Sequence, residues 1–343
     1  MDTRTAGTMA PDAAEDILQH AGAWRSRRLR ACLQAALIWL GATMAPASAG
    51  EKLNVGKAGQ KVFAFALMDV GIKAGLFAKY GLDLEVSELA SGARLHQALA
   101  ANALDIGFGG GTDLAAVFKG APVKAVAAVA GPPFDFAIAV RADGSIRTAA
   151  DLKGAKIGVT TLSSLTAWLT GELARQQGWG SDGIARIAVG SNATSMALLR
   201  TREIDGFTAE LGSALQVEKL NGGRVLLQFG ELVKDFYTFV IYAQVGLIRE
   251  RPAALRSFLK GWLDTLRFAR ANKAYSVEVI AEVLGRDIEL TSKLYDQLAF
   301  TYSGDGRFEA ARMKGLARAL KDQFGLDESA LAGLTTEEFL PAR

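Results

Sequence analysis

One pattern of hydrophobic and polar positions occurs twice along the chain, first from Ser91 and again from Ser191. Each copy starts with a polar turn, continues with apolar residues at helical spacing, and ends in a short apolar run, at residues 104–108 or 204–207. A serine hydroxyl can accept a hydrogen bond from a free N–H group of a first helical turn, so both serines are expected helix N-caps. The pattern therefore predicts two similar α/β lobes, each with helix N-termini directed at the gap between them.

Short apolar runs alternate with helical periodicity along most of residues 50–343. One apolar helix is predicted to run through Met68 to a stop at Gly81, and the chain is predicted to be helical from residue 249 on. Strands that alternate with helices indicate α/β lobes with parallel strands. The apolar runs at 137–140 and 241–244 predict two crossovers that form a hinge. We therefore expect lobe I to comprise residues 50–138 and 243–343, and lobe II to comprise residues 139–242.

The first 49 residues have the order of a secretory signal peptide. A basic segment at 25–30 precedes an apolar segment at 31–45 and the small-residue sequence Ala47-Ser48-Ala49. The apolar segment is too short to span a membrane. We expect cleavage between Ala49 and Gly50, which would also remove Cys32.

Composition narrows the classes of function. Half of the 343 residues are hydrophobic and the net charge is only +3, without the basic patch of a nucleic-acid-binding protein. The single cysteine excludes a disulfide framework and a cysteine-based metal site. Asp105 and Asp205 occupy the same place in the two copies and are expected to be structural, not a catalytic pair. No nucleophile–base pair is apparent, so we expect no enzyme, no cofactor and no metal.

Several stretches, taken in order, resemble one protein family. They are residues 74–85, 98–107, 119–123, 151–159, 204–206 and 251–252. This ordered set resembles the periplasmic substrate-binding proteins of nitrate/sulfonate/taurine-type ABC transporters, which are related to thiamine pyrimidine-precursor binding proteins. The resemblance implies a type II periplasmic-binding fold, with two α/β lobes, a hinge of two crossover strands and a ligand in the interlobe cleft. The cysteine cluster that pyrimidine-forming members of this fold would need is missing after residue 49.

Candidate ligand-binding residues follow from the places where strands end and helices begin. Ligands of open α/β sheets bind beyond the carboxyl ends of strands, and helix N-termini there favour an oxyanion or a carbonyl group. The resemblance points to the same loops. For each Ser or Thr the alternative is a plain helix cap, and for each Phe it is an ordinary core position. The candidates are Gln60, Phe63, Ser91, Gly111, Thr112, Phe134, Thr161, Ser163, Ser164, Asn192, Thr194 and Glu210.

Glu210 bears on the charge of the ligand. If its carboxylate points into the cleft, it would oppose an anion about 4 Å away by roughly 4 kcal/mol at a near-surface dielectric. If Thr208 caps a helix instead, Glu210 lies in the first turn, where the helix dipole favours an acid. Lys61 and Arg94 are the nearest candidates to pair with an anion. The sequence leaves both interpretations open.

The expected function is that of an extracytoplasmic solute-binding protein. It would capture a sulfonate-, nitrate-, taurine- or pyrimidine-like molecule in the interlobe cleft and deliver it to an ABC transporter membrane permease. We expect a periplasmic monomer that binds no nucleic acid. The alternatives are a small-molecule lyase or synthase on the same fold, and a periplasmic sensor module.

Overall fold

The computed structural model describes residues 50–342 except 60, 163, 221, 327 and 332. The expected signal peptide lies outside these residues. Among the described residues, no helix combines the length and the apolar character that crossing a bilayer requires.

Ten strands form two five-stranded sheets in the part of the chain that the structure describes. The first sheet has the order β2-β1-β3-β10-β4 and the second β7-β6-β8-β5-β9. The strands are β1 (Glu51–Ala58), β2 (Leu82–Leu89), β3 (Ile106–Gly110), β4 (Val123–Ala130), β5 (Phe136–Arg141), β6 (Lys156–Val159), β7 (Ala185–Ala188), β8 (Gly206–Glu210), β9 (Gly223–Gln228) and β10 (Phe239–Gln244).

The first sheet contains one strand, β10, that follows all the strands of the second sheet in sequence. The three strands on one side of each sheet are parallel, whereas β10 runs antiparallel between β3 and β4. In the second sheet β5 runs antiparallel between β8 and β9. The chain thus forms two α/β lobes of the same topology, as the repeated pattern predicts.

Eleven α-helices accompany the strands in the described residues. Helices α8 and α9 pack on α1 in the first lobe, where Trp262 of α8 meets Phe108 of β3 edge to face at 4.9 Å. The helices are α1 (Phe63–Lys73), α2 (Gly92–Ala100), α3 (Leu114–Phe118), α4 (Leu165–Gln176), α5 (Asn192–Thr201), α6 (Leu211–Lys219), α7 (Val245–Glu250), α8 (Pro252–Ala271), α9 (Lys273–Leu284), α10 (Ile288–Leu298) and α11 (Ala310–Phe324).

The two copies of the repeated pattern have the same hydrogen bonds. Ser91 accepts from the N–H of the third residue of α2 at 3.4 Å, and Ser191 accepts from the corresponding N–H of α5 at 3.1 Å. Asp105 accepts from the N–H of Asn54 at 2.8 Å, and Asp205 from that of Lys156 at 2.9 Å. Both serines are therefore N-caps, and both aspartates tie the strand that follows them to the parallel strand beside it, β1 or β6.

The chain crosses between the lobes at residues 131–135 and 232–238, which lie upstream of the expected boundaries at 138/139 and 242/243. Residues 137–140 and 241–244, expected to form the hinge, lie inside β5 and β10. Each of these strands is hydrogen-bonded on both sides and almost wholly buried. Both runs are therefore parts of the sheets, and the segments that join one sheet to the other are the turns that precede them.

The first predicted helix ends earlier than expected. Helix α1 stops at Lys73, and a separate 3-10 turn over Ala78–Tyr80 leads to Gly81. Gly75 has φ +71° and Gly81 has φ +72°, so one left-handed glycine divides the apolar stripe and a second one ends it. Gly81 is a stop as predicted, but for the short turn and not for the long helix.

Two helices of the C-terminal segment also touch the second lobe. Lys219 of α6 pairs with Asp287 beside α10 at 3.0 Å. Arg318 of α11 pairs with Glu172 of α4 at 2.9 Å. The C-terminal helices therefore also contact the second lobe, with α10 beside α6 and α11 beside α4.

Candidate functional site

A cavity of about 720 Å³ lies between the two lobes. The first lobe contributes Lys61 and the junction of α9 and α10, and the second lobe contributes the start of α5 and much of α6. Two of the predicted residues, Asn192 and Glu210, line this cavity together. The side-chain amide of Asn192 donates to the hydroxyl of Ser213 at 2.9 Å, which fixes one polar wall.

Glu210 is the last residue of β8 and stands at the N-cap position of α6, where its side chain makes no capping hydrogen bond. Thr208, considered above as that cap, lies instead inside β8, and its hydroxyl is 2.7 Å from the hydroxyl of Thr170. Burial raises the pKa of the Glu210 carboxyl to about 7, with the positive charge of Arg286 opposing the rise and the negative charge of Asp135 adding to it. The carboxyl is partly accessible from the cavity.

Arg286 enters the cavity from the junction of α9 and α10, opposite Glu210. Its guanidinium group rests on the backbone of Gly212, and a methyl group at Gly212 would overlap it. Burial lowers the pKa of Arg286, and the charge of Glu210 partly restores it. Arg286 was not predicted from the sequence. The Gly285 and Asp287 on either side mark a junction between helices, but nothing local indicates which surface this arginine faces.

A second buried carboxyl lies close to Glu210, at the first crossover. Asp135 is 3% exposed, and its Oδ1 accepts from the hydroxyl of Tyr302 at 2.9 Å. Its carbonyl oxygen accepts from the N–H of Leu211 at 2.7 Å, which ties the crossover to the start of α6. The other carboxyl oxygen, Oδ2, has no hydrogen-bond partner in the described residues. Burial raises the pKa of Asp135 to about 7, against the lowering effect of the Tyr302 hydrogen bond.

The predicted aromatic residues and the predicted glycine pack against other parts of the chain and are not among the residues that line this cavity. Phe63 is 3% exposed, and its ring stacks on Tyr302 at 6.5 Å between centroids. The ring of Phe134 packs against Gly230. Gly111 donates its N–H to the carbonyl of Thr238 at 3.0 Å, so its backbone is bonded to the second crossover.

The remaining predicted residues form hydrogen bonds within their own loops. Ser164 caps α4 and also donates to the carbonyl of Thr161 at 2.6 Å. The hydroxyl of Thr194 is 2.9 Å from that of Ser191, beside the cap of α5. Thr112 is partly exposed beside Gly111. Arg94, considered as an anion partner, bonds to its neighbour on α2. Gln60 and Ser163 lie outside the described residues.

A carboxyl, a guanidinium and an amide face this one cavity, which can therefore bind polar and charged groups of a small molecule. No residue of the described chain is a cysteine. The described residues also contain no group of three or more His, Cys, Asp or Glu side chains placed to hold a metal ion.

The fold is that of periplasmic binding proteins, as three solved structures illustrate. The periplasmic aliphatic sulphonate binding protein SsuA from Escherichia coli is similar with a TM-score of 0.70 at 17% identity, over 85% of this chain and 92% of SsuA. The alkanesulfonate-binding SsuA from Xanthomonas axonopodis pv. citri, bound to MOPS, gives 0.66 at 17% identity, over 83% of this chain and 95% of its own. The desulfurization enzyme DszB gives 0.64 at 17% identity, over 83% and 97%.

No curated protein sequence matches the chain. The family model described as "NMT1/THI5 like" matches residues 63–274, which run from the start of α1 through the second lobe and into α9. This match covers more than half of the sequence, and it agrees with the two-lobed fold. The chain therefore belongs to the NMT1/THI5-like family.

Proposed function

We propose that the protein is an extracytoplasmic solute-binding protein that captures one small molecule between its lobes and delivers it to an ABC transporter permease. The observation that carries the proposal is the interlobe cavity, into which Glu210 and Arg286 project from opposite lobes. Its volume of about 720 Å³ falls within the range of small-molecule sites. A ligand that contacts both lobes would stabilise their approach about the two crossovers.

Two further observations support this function. The SsuA proteins, which share the fold, bind sulfonates. The order of basic, apolar and small residues before Gly50 is that of an exported protein. Export is tested by N-terminal sequencing of the protein recovered from the periplasm. We expect it to begin at Gly50, whereas a retained leader or an exclusively cytoplasmic pool would contradict export.

The function itself is tested by native mass spectrometry and small-angle scattering on freshly purified protein. We expect a retained small molecule, and a smaller radius of gyration with that molecule than after its removal. Failure to detect any bound molecule, together with an unchanged radius in the presence of candidate solutes, would contradict the proposal.

An enzyme on the same fold is the second candidate, because DszB has this fold and is an enzyme. Incubation of the protein with its bound molecule separates the two functions. Quantitative recovery of the unchanged molecule supports a binding protein, whereas its conversion supports an enzyme. Uptake of the molecule is then compared between cells that have the gene and cells that lack it, which separates transport from sensing. Loss of uptake without the gene supports a transport protein, because a sensor is not needed for uptake.

A further inference from the structure

Two side chains of opposite charge face the interlobe cavity without pairing. Glu210 comes from the second lobe and Arg286 from the first. Neither side chain forms a hydrogen bond or an ion pair with any residue that the structure describes. Most of the charged side chains around them are paired, for example Lys219 with Asp287 at the rim of the same cavity. An unpaired acid and an unpaired base in one cavity are complementary to a ligand that carries both charges.

The position of Arg286 depends on a glycine in the second lobe. The guanidinium lies on Gly212, the second residue of α6, and any side chain there would displace it. The N-terminus of α6 is an unfavourable position for the Arg286 guanidinium when no anion is present, because the N-terminus of a helix carries a partial positive charge. An anionic group beside Arg286 would be favoured both by the guanidinium and by the helix N-terminus.

We propose that the ligand is a small zwitterion, whose anionic group is bound by Arg286 and whose ammonium group is bound by Glu210. This inference rests on the proposed function and names its substrate class. A ligand with only a negative charge would leave Glu210 facing it unpaired, and a ligand with only a positive charge would leave Arg286 unpaired. A ligand with both charges satisfies both groups and joins the two lobes.

The surroundings of the two groups favour the same orientation of the ligand. Lys61 is exposed at the rim of the cavity. Its amino group comes close to Gly285, so it lies on the side of Arg286. Asp135 adds negative potential at Glu210. The cavity is therefore more positive near Lys61 and Arg286 than near Glu210 and Asp135.

Binding of an ammonium group by Glu210 should depend on pH. The groups that face this carboxyl are Arg286, Asp135 and Tyr302, with Lys61 at the rim. Because the pKa of unliganded Glu210 is raised to about 7, the carboxylate that binds an ammonium group is fully formed only above that pH. Affinity is therefore expected to increase as the pH rises through 7, and Glu210→Gln should remove most of this increase.

The test uses calorimetric titration of the full exported chain with matched compounds. The zwitterions are glycine, β-alanine, γ-aminobutyrate and 2-aminoethanesulfonate. The acids without an amine are acetate, propionate, butyrate and ethanesulfonate, and the amines without an acid are methylamine, ethylamine and propylamine. We expect at least one zwitterion to bind at least tenfold more tightly than its matched acid and amine.

Three variants test whether Glu210 and Arg286 bind the two charged groups of the ligand. Glu210→Gln and Arg286→Gln should each weaken binding of that zwitterion at least tenfold. Gly212→Ala should weaken it with an unchanged melting temperature, because only the flexible end of Arg286 has to move. Arg200→Gln and Glu203→Gln remove the same charges from exposed positions of the second lobe outside the cavity, and they should leave binding unchanged.

The outcomes separate this inference from the proposed function. Binding of a singly charged or neutral compound that is insensitive to Glu210→Gln and Arg286→Gln would overturn the zwitterion assignment and keep the solute-binding function. Failure of all four zwitterions to bind would likewise overturn the assignment. The proposed function fails only if native mass spectrometry and scattering also detect no bound molecule.

Discussion

Arg318 of α11 donates a hydrogen bond to the carboxylate of Glu172 in α4, with 2.9 Å between Nη2 and Oε1. The Glu172 side chain is 1% exposed, although it is charged and lies on the second lobe, whereas Arg318 comes from the C-terminal segment. Arg175 pairs with the same carboxylate, and the amide of Gln176 donates to it at 2.8 Å. This contact connects the two lobes through a carboxylate that is screened from solvent.

We predict that Arg318→Ala lowers the free energy of unfolding by about 1 kcal/mol, because Arg175 remains to neutralise the buried carboxylate. The variant should also have a larger radius of gyration without ligand, since one restraint between the lobes is lost. Urea denaturation and small-angle scattering measure the two effects. Lys314→Ala, at an exposed position of the same helix, is the control. A radius unchanged from that of wild type would contradict a restraining role.

Gly315 is the point of closest approach between α11 and the second crossover. A methyl group there would overlap the carbonyl oxygen of Asp235. We predict that Gly315→Ala destabilises the protein by roughly 2 kcal/mol, in the range of overpacked sites, although alanine is the better helix former. Thermal and urea unfolding test this, with Lys314→Ala again as the neighbour control. A variant more stable than wild type would show that α11 can move away from the crossover at no cost.

The two serine caps can be separated from ligand contacts by a pair of substitutions at each site. We predict that Ser91→Ala and Ser191→Ala each lower the free energy of unfolding by about 1 kcal/mol. Asp is an equally good cap, so Ser91→Asp and Ser191→Asp should retain wild-type stability. Urea denaturation provides the comparison. If the alanine variants keep full stability but lose ligand affinity, the hydroxyl groups act on the ligand and not on the helices.

Asp135 should make stability fall as the pH rises. Its pKa is raised to about 7 in the folded protein from an ordinary value of 3.8, so between these values the folded state holds more protons than the unfolded state. We predict that Asp135→Asn gains stability relative to wild type across that interval, by at most about 1.4 kcal/mol per pH unit. Unfolding curves at pH 5, 6, 7 and 8 measure the difference. Asp235→Asn, at an exposed position, is the control, and a difference for Asp135→Asn that does not change with pH would refute the assignment.

Structural features that depend on interactions between residues close together in the sequence were predictable. The caps Ser91, Ser164 and Ser191 act within three residues, so the sequence pattern identifies them without any tertiary information. The repeated strand–helix order likewise predicts two α/β lobes. A local pattern can nevertheless mislead. One apolar stripe predicted a single helix as far as Gly81, because the left-handed Gly75 divides it without changing its periodicity.

Features that depend on distant partners were not predictable from the pattern. Asp135, Arg286 and Tyr302 are far apart in sequence, and only the crossover and the packing of the C-terminal helices bring them towards Glu210. The lobe to which each crossover strand belongs is a related case. Apolar runs at 137–140 and 241–244 predict strands equally well in either lobe, and only their pairing places β5 in the second sheet and β10 in the first.

The insertion of β10 between β3 and β4 has a consequence for the order in which the protein assembles. Every strand of the second sheet lies within residues 136–228, so this sheet can form from a continuous stretch of chain. The first sheet cannot, because β4 reaches β3 only through β10, which is synthesised after the entire second lobe. A chain that emerges N-terminus first is thus expected to complete the later lobe before the earlier one. A truncation before residue 239 should leave β4 as an unpaired apolar strand, a site for aggregation.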